Sequence, residues 1–349
     1  MKKKDIQKLY DFLSAPKTTS QIATHLGIKT ENLHNLLFGL DFKSLNLFSS
    51  RILSGENLYF LKSQIESFSK IEVPPRAWYY TAPILPEPGK IPYLRIQFLP
   101  SVDFKKITIV PISDLHYGHE GFNDDKFIEY VDWIKANKNV FCFLNGDIFE
   151  NAHPDSPGGA IFDQRVRPKH QPPMFIEMVA PILDKILWAQ PGNHEGRSIK
   201  KADIDPLFWF CQLFGIPYFD QPIYVDINWK EHDFSLFCQH GSTGALTEGG
   251  KFNMAARPTS WTDFTMFYVM GHVHDEITGS SIRRCRIVKQ FKNGKVREYM
   301  LVDREQYIVV VPGWIEYWGT YAARKGYHPT SQGTVALHLR SSGSYEASS

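Results

Sequence analysis

Residues 107–119 read ITIVPISDLHYGH, an apolar, β-branched run followed by two groups able to bind a cation, Asp114 and His116. Ile107-Thr108-Ile109-Val110 predicts a buried strand, with the two donors just past its end. Residues two apart project to one side of an extended chain, so Asp114 and His116 share a face. The arrangement returns four times. Val140 to Leu144 precedes Gly146-Asp147, and Ile186 to Ala189 precedes Gly192-Asn193-His194-Glu195. Phe234 to Cys238 precedes His240-Gly241, and Phe267 to Met270 precedes Gly271-His272-Val273-His274. From about residue 104 to about residue 340, strands alternate with helices, which predicts an α/β fold. Open α/β sheets gather ligand sites at the C-terminal ends of their strands, so five such motifs can converge on one point.

The residue types indicate what that point binds. Carboxylate, imidazole and amide oxygen, without thiolate, suit Mn, Fe or Zn. The imidazoles of His272 and His274 can reach neighbouring ions, and Asp147, with two oxygens, can bridge a pair. Two cations about 3.5–4 Å apart clamp the attacking and leaving oxygens of a phosphoryl displacement.

The ordered series D-x-H, G-D, G-N-H-E, H, G-H-x-H resembles the calcineurin-like metallophosphoesterase superfamily over about residues 105–280. The resemblance implies a four-layer αββα sandwich and a hydrolase of phosphate esters with two divalent ions, Mn2+ first and Fe or Zn as alternatives. It assigns Asp114, His116 and His274 to one ion, Asn193, His240 and His272 to the other, and Asp147 to both. His194 matches the catalytic histidine that assists the leaving group, and the implied nucleophile is a metal-bound hydroxide. Glu150 matches the acid that orients this histidine in the superfamily's protein Ser/Thr phosphatases. Those enzymes continue with Arg-Gly where this chain has Asn151, which counts against a protein phosphatase. For Glu150 and Glu195 a surface or helix-capping acid is the competing reading. The stretch Asp114 to Gly118, D-x-H-x-G, is similar to the DNA-repair nuclease branch.

Two residues beside the motifs, His119 and Arg197, are candidates for contact with a substrate phosphate. His153 and His170 fall in a Pro-rich stretch, Pro154 to Pro173, that reads as a long loop over the site. His25, His34, His232, His328 and His338 read as structural or exposed. After the last motif, Arg283, Arg284, Arg286, Lys289, Lys292, Lys295 and Arg297 decorate a hairpin turning at Asn293-Gly294. This basic run suits either a polyanionic substrate or a solvated face.

Residues 1–70 form a separate region. Ile6, Leu9, Tyr10 and Leu13 make a helical stripe, and Ser20 and Thr30 can cap a second and a third helix. Two alternating runs divided by Ser54-Gly55-Glu56-Asn57 follow as a wing, so the region resembles a winged helix-turn-helix domain. It holds ten Lys and Arg against six Asp and Glu, a surplus of +4 in a chain of net +2, leaving −2 elsewhere. Residues 71–103 read as a proline-rich connector, 104–340 as the phosphoesterase domain and 341–349 as a disordered tail. Four widely spaced cysteines without a C-x-x-C pair fit a reducing compartment. No signal peptide or apolar span is visible, so a cytoplasmic protein without a membrane partner is expected.

With a winged helix and a basic hairpin beside the site, nucleic acid is the expected partner and a nuclease the expected activity. A small-molecule phosphatase or cyclic-nucleotide phosphodiesterase is the alternative enzyme. A non-catalytic DNA-binding subunit is the alternative outside enzymes.

Overall fold

The computed structural model describes residues 76–84, 90–156, 161–292, 295–324, 326 and 328–348, together with the strand backbone at 17–18, 47–51 and 57–61. The chain divides into two units, Met1–Glu72 and Val73–Ser349. In the first, β1 (Lys17–Thr18), β2 (Leu47–Arg51) and β3 (Asn57–Leu61) form an antiparallel sheet in the order β1-β3-β2. Strands β2 and β3 fall within the two runs expected to be extended; the three expected helices and the turn between the runs lie outside the described residues.

The second unit is built on two sheets. One holds seven strands in the order β12 (Ile277–Lys292), β13 (Lys295–Val310), β11 (Phe267–Met270), β10 (His232–Gln239), β9 (Ile223–Trp229), β5 (Tyr93–Phe98), β4 (Tyr79–Ile84), and the other five in the order β15 (Tyr345–Ser348), β14 (Ala336–Arg340), β6 (Lys106–Ile112), β7 (Val140–Asn145), β8 (Ile186–Gln190). In the five-stranded sheet, β6 (Lys106–Ile112), β7 (Val140–Asn145) and β8 (Ile186–Gln190) run parallel. Every residue of β7 and β8 is buried, as continuous apolar runs covered on both faces require. In the larger sheet, β9 (Ile223–Trp229) alternates buried and half-buried residues and pairs antiparallel with β10 (His232–Gln239). β10 then pairs parallel with β11 (Phe267–Met270). The larger core cluster lies between the sheets, where Phe143 stacks on Trp188 with centroids 4.1 Å apart. Helices α1 (Asp124–Ala136), α2 (Gln171–Val179) and α4 (Pro206–Phe214) belong to the five-stranded side. α3 (Glu195–Ala202) starts at the end of the G-N-H-E motif. α5 (Glu248–Ala256) covers the other sheet over Phe237, Tyr268 and Met270. The result is the mixed α/β sandwich that the motif order implies. No helix among the described residues is long and apolar enough to cross a membrane.

Two expected boundaries are corrected. The proline-rich stretch 71–103 is no separate connector, because β4 (Tyr79–Ile84) and β5 (Tyr93–Phe98) complete the seven-stranded sheet. Pro83 is tolerated because β4 is the edge strand, where a missing N–H costs no ladder bond. The polar tail is ordered as well. Gly343, at φ +85°, turns the chain after β14 (Ala336–Arg340), and β15 (Tyr345–Ser348) pairs back antiparallel. Its alternate residues Tyr345 and Ala347 pack on the core, with Tyr345 edge-on to Phe267.

A buried lysine ties α1 to the sheet. Lys185 Nζ donates to the carbonyls of Ile134 (2.7 Å), Asn137 (2.5 Å) and Val140 (3.3 Å), where the end of α1 leaves acceptors unmatched. Lys185→Met keeps the stem and orphans those acceptors. A stability loss of about 2–3 kcal/mol in urea titration is expected.

Candidate metal centre

The five motifs occupy the loops that leave β6, β7, β8, β10 and β11. Each must turn within one or two residues to bring its donors together, and the backbone records this. Asp114, His116, Asp147, His272 and His274 adopt positive φ of 52, 49, 52, 72 and 56°. Non-glycine residues rarely do so, and the conformation costs on the order of 1 kcal/mol each. Five of the eight such residues among the described ones are these donors, so the strain is concentrated where ligands converge. Two motif glycines are required by close approach. A Cβ on Gly192 would stand 2.1 Å from Asp147 Oδ1, and one on Gly271 would stand 2.0 Å from Ser113 Oγ.

Three groups of possible ligands overlap, the third of them Asp147 with His116 and His194. Ligand atoms of Asp114, His116 and His274 lie within 4.8 Å of one another, as do those of Asp147, His240 and His272. In the first group, His274 Nε2 is 3.0 Å from His116 Nε2 and 3.3 Å from Asp114 Oδ1. In the second, Asn193 Oδ1 stands 2.8 Å from His272 Nδ1 and 3.3 Å from His240 Nε2. Asp147 Oδ2 lies between them, 3.8 Å from His116 Nε2 and 3.3 Å from His240 Nε2.

The surroundings fix which atoms face inward. His240 Nδ1 donates to the Asn145 carbonyl at 2.8 Å, and His116 Nδ1 to Glu150 Oε2 at 3.0 Å. Each imidazole thus presents Nε2 to the centre, the arrangement by which an outer acceptor orients a metal-ligating histidine. Asp114 Oδ2 accepts from Ser113 Oγ (2.6 Å) and from the His272 amide (2.8 Å). Its other oxygen, Oδ1, is buried with no hydrogen bond and only His274 Nε2 near it, at 3.3 Å, which leaves room for a cation as its partner. Nitrogen and oxygen donors around a buried carboxylate oxygen that accepts no hydrogen bond fit a pair of divalent ions.

The electrostatics agree. Burial disfavours ionised Asp147, yet His240, His194 and His116 hold its pKa well below the usual carboxylate range. Burial likewise opposes a charge on His240, but Asp147 and Asp114 push its pKa up to about 10. His116 differs: burial, then His194, lowers its pKa to about 4.

Glu195 is neither a surface acid nor a helix cap. It is fully buried, and its carboxylate accepts from the amides of Asp147 (3.1 Å), Ile148 (2.9 Å), Phe149 (3.0 Å) and Gly192 (2.8 Å). It therefore clamps the G-D loop to the G-N-H loop. Burial and the charge of Asp147 raise its pKa, and the Phe149 and Gly192 amides oppose that shift. In Glu195→Gln an amide NH2 would face two of the four backbone N–H donors. We expect Mn2+ affinity, measured calorimetrically, to fall roughly 10–100-fold, as for other groups that position ligands.

The remaining sequence candidates gather close by. Glu150 is buried between His116 and His194, and its carboxylate oxygen Oε2 is 3.3 Å from His194 Nδ1. The nearer partner of that nitrogen is the Glu150 carbonyl, at 2.8 Å. Arg197 donates to the same carbonyl (3.0 Å) and to His194 Nε2 (2.7 Å), and pairs with Glu150 Oε1 at 3.3 Å. His119 is buried with Nδ1 accepting from the Gly121 amide at 2.9 Å, and it lines the same cavity as His272 and His274. Sequence reading missed Ser113 and the chain behind His194, where Asn151 Nδ2 donates to the His194 carbonyl (2.8 Å) and Asn151 Oδ1 accepts from Ser198 Oγ (2.9 Å). Only the adjacency of Ser113 and Asn151 to motif residues could have marked them.

A comparison with curated proteins returned no match. The family model for calcineurin-like phosphoesterases matches residues 107–282, just over half of the 349-residue chain and all five motifs. The chain therefore belongs to the calcineurin-like phosphoesterase family, metal-dependent hydrolases that act on phosphate esters.

Proposed function

We propose that the chain hydrolyses phosphodiesters, with nucleic acid as substrate and two Mn2+ ions held by Asp114, His116, Asp147, Asn193, His240, His272 and His274. One observation carries the choice of diester over monoester. Two separate cavities meet the donor cluster, one of about 630 Å³ lined by His272 and His274, the other of about 680 Å³ lined by Asn193 and His240. Each is large enough for an organic group of nucleotide size. A monoester has one such group on phosphorus; a diester has two.

When bound, the ions supply Lewis acidity to the phosphoryl oxygens and lower the pKa of coordinated water. The protein's own groups would handle the leaving side. The Glu150 carbonyl fixes the proton of His194 on Nδ1, so Nε2 is the atom that exchanges a proton with the departing oxygen. Burial opposes the imidazolium, but Asp147 and Glu150 outweigh it and raise the His194 pKa. Arg197, now donating to Nε2, offers its guanidinium to a phosphoryl oxygen once an ester enters. Glu150 holds both residues and so acts as a positioning group.

Mn2+-dependent hydrolysis of bis-p-nitrophenyl phosphate, p-nitrophenyl phosphate, cyclic nucleotides, and single- and double-stranded DNA and RNA tests this reading. The diester and a polynucleotide should be cut faster than the monoester. Turnover of the monoester or of cyclic nucleotides alone would instead establish a small-molecule enzyme.

A further inference from the structure

The cavity beside Asn193 and His240 has an unusual wall. Trp261 and Arg257 line it together with Phe219 and Met254. Trp261 is 62% exposed, although an indole gains more than almost any side chain from burial. Its position is nevertheless fixed from beneath. The Trp261 amide donates to the Pro258 carbonyl at 3.1 Å, and buried Thr262 Oγ1 donates to the same carbonyl at 2.8 Å. Thr262 Oγ1 also stands 2.8 Å from the hydroxyl of buried Tyr268, which donates to the Asp263 carbonyl at 3.1 Å. From β12 (Ile277–Lys292), Arg283 Nη1 donates to the Thr259 carbonyl at 2.6 Å. The indole itself meets the Phe237 ring edge-to-face, with centroids 5.4 Å apart. The turn thus presents a largely bare aromatic surface in a cavity that Arg257 also lines and that ends on two metal-ligand candidates.

We propose that this cavity is a nucleobase subsite, with Trp261 stacking on a base and Arg257 meeting an adjoining phosphate. The substrate class is then single-stranded nucleic acid. The inference rests on the diester reading above and names its substrate. A base inside a duplex has both faces covered by its neighbours, whereas an aromatic platform engages a base whose face is free. Such stacking accepts any base, and an adjacent cation follows the backbone.

The test uses the full chain with Mn2+ and a short single-stranded oligonucleotide carrying phosphorothioate linkages and one fluorescent purine analogue. Binding should quench the analogue. Trp261→Ala should abolish the quench and weaken affinity about tenfold, the size of one lost base stack. Trp261→Phe should restore most of both, which guards against misfolding of the alanine variant. Trp318, 80% exposed and lining neither cavity, provides the control: Trp318→Ala should change neither binding nor hydrolysis of bis-p-nitrophenyl phosphate. Unchanged quench and affinity in Trp261→Ala, or duplex binding as tightly as the single strand, would overturn the subsite. Hydrolysis of bis-p-nitrophenyl phosphate without oligonucleotide binding would refute the subsite alone. Binding with Trp261-dependent quench but no diester hydrolysis would refute the phosphodiesterase reading alone.

Discussion

Asp147→Asn should lose bound metal and nearly all hydrolytic activity while its circular dichroism stays that of the unaltered chain. The carboxylate is buried, with Oδ2 between His116 and His240 and Oδ1 accepting from the His194 amide at 2.8 Å. Asparagine has the same shape and can still accept from that amide, so the loop has no steric reason to move. It lacks the charge, however, and can offer only one oxygen to an ion. Removing a group behind a ligand costs roughly 10–100-fold in affinity or activity, and removing the proposed shared ligand should exceed that. Elemental analysis after gel filtration gives the metal content, and bis-p-nitrophenyl phosphate the rate. Two ions and unaltered turnover in this variant would remove Asp147 from the shared position.

His194→Ala should separate chemistry from metal binding. Its ring lies edge-on to His116 with centroids 4.3 Å apart, and its Nε2 is 3.9 Å from Asp147 Oδ2, so proximity alone would also allow a ligand. The hydrogen bonds argue otherwise. Nδ1 is taken by the Glu150 carbonyl and Nε2 by Arg197. Loss of a general acid lowers rates by about 10²–10⁴-fold, and we expect a fall in that range with metal content unchanged. The deficit should be larger for a nucleotide linkage than for bis-p-nitrophenyl phosphate, because p-nitrophenolate departs with little need of a proton. A halved metal content, or the same deficit for both esters, would reassign the residue.

What the sequence made legible follows from how chemistry is written at strand ends. Buried parallel strands such as β7 and β8 are continuous apolar words, and the donors stand immediately after them. Their order and spacing therefore carried the sandwich, the family and the cluster of Asp and His side chains. Arg197 was also within reach, since α3 starts at Glu195 and three residues along a helix return to the face of His194. Glu195 was not, because its partners are backbone amides, which every residue has and no sequence displays. Prolines concealed β4 by suggesting irregular chain where an edge strand tolerates them. Serines and Gly343 concealed β15, whose contribution to the core depends on only two side chains, Tyr345 and Ala347. The cavities, and with them the position of Trp261, depend on the packing of α5 and the following turn over the sheet, which no local pattern encodes.

The most direct test of a two-metal phosphodiesterase is titration of the metal-stripped chain with Mn2+ while hydrolysis of bis-p-nitrophenyl phosphate and ion binding are followed together. The seven proposed ligands, Asp147 shared among them, predict activity that rises with Mn2+ and saturates when two ions are bound per chain. Saturation at one ion, or diester hydrolysis that proceeds unchanged in the metal-stripped chain, would contradict it.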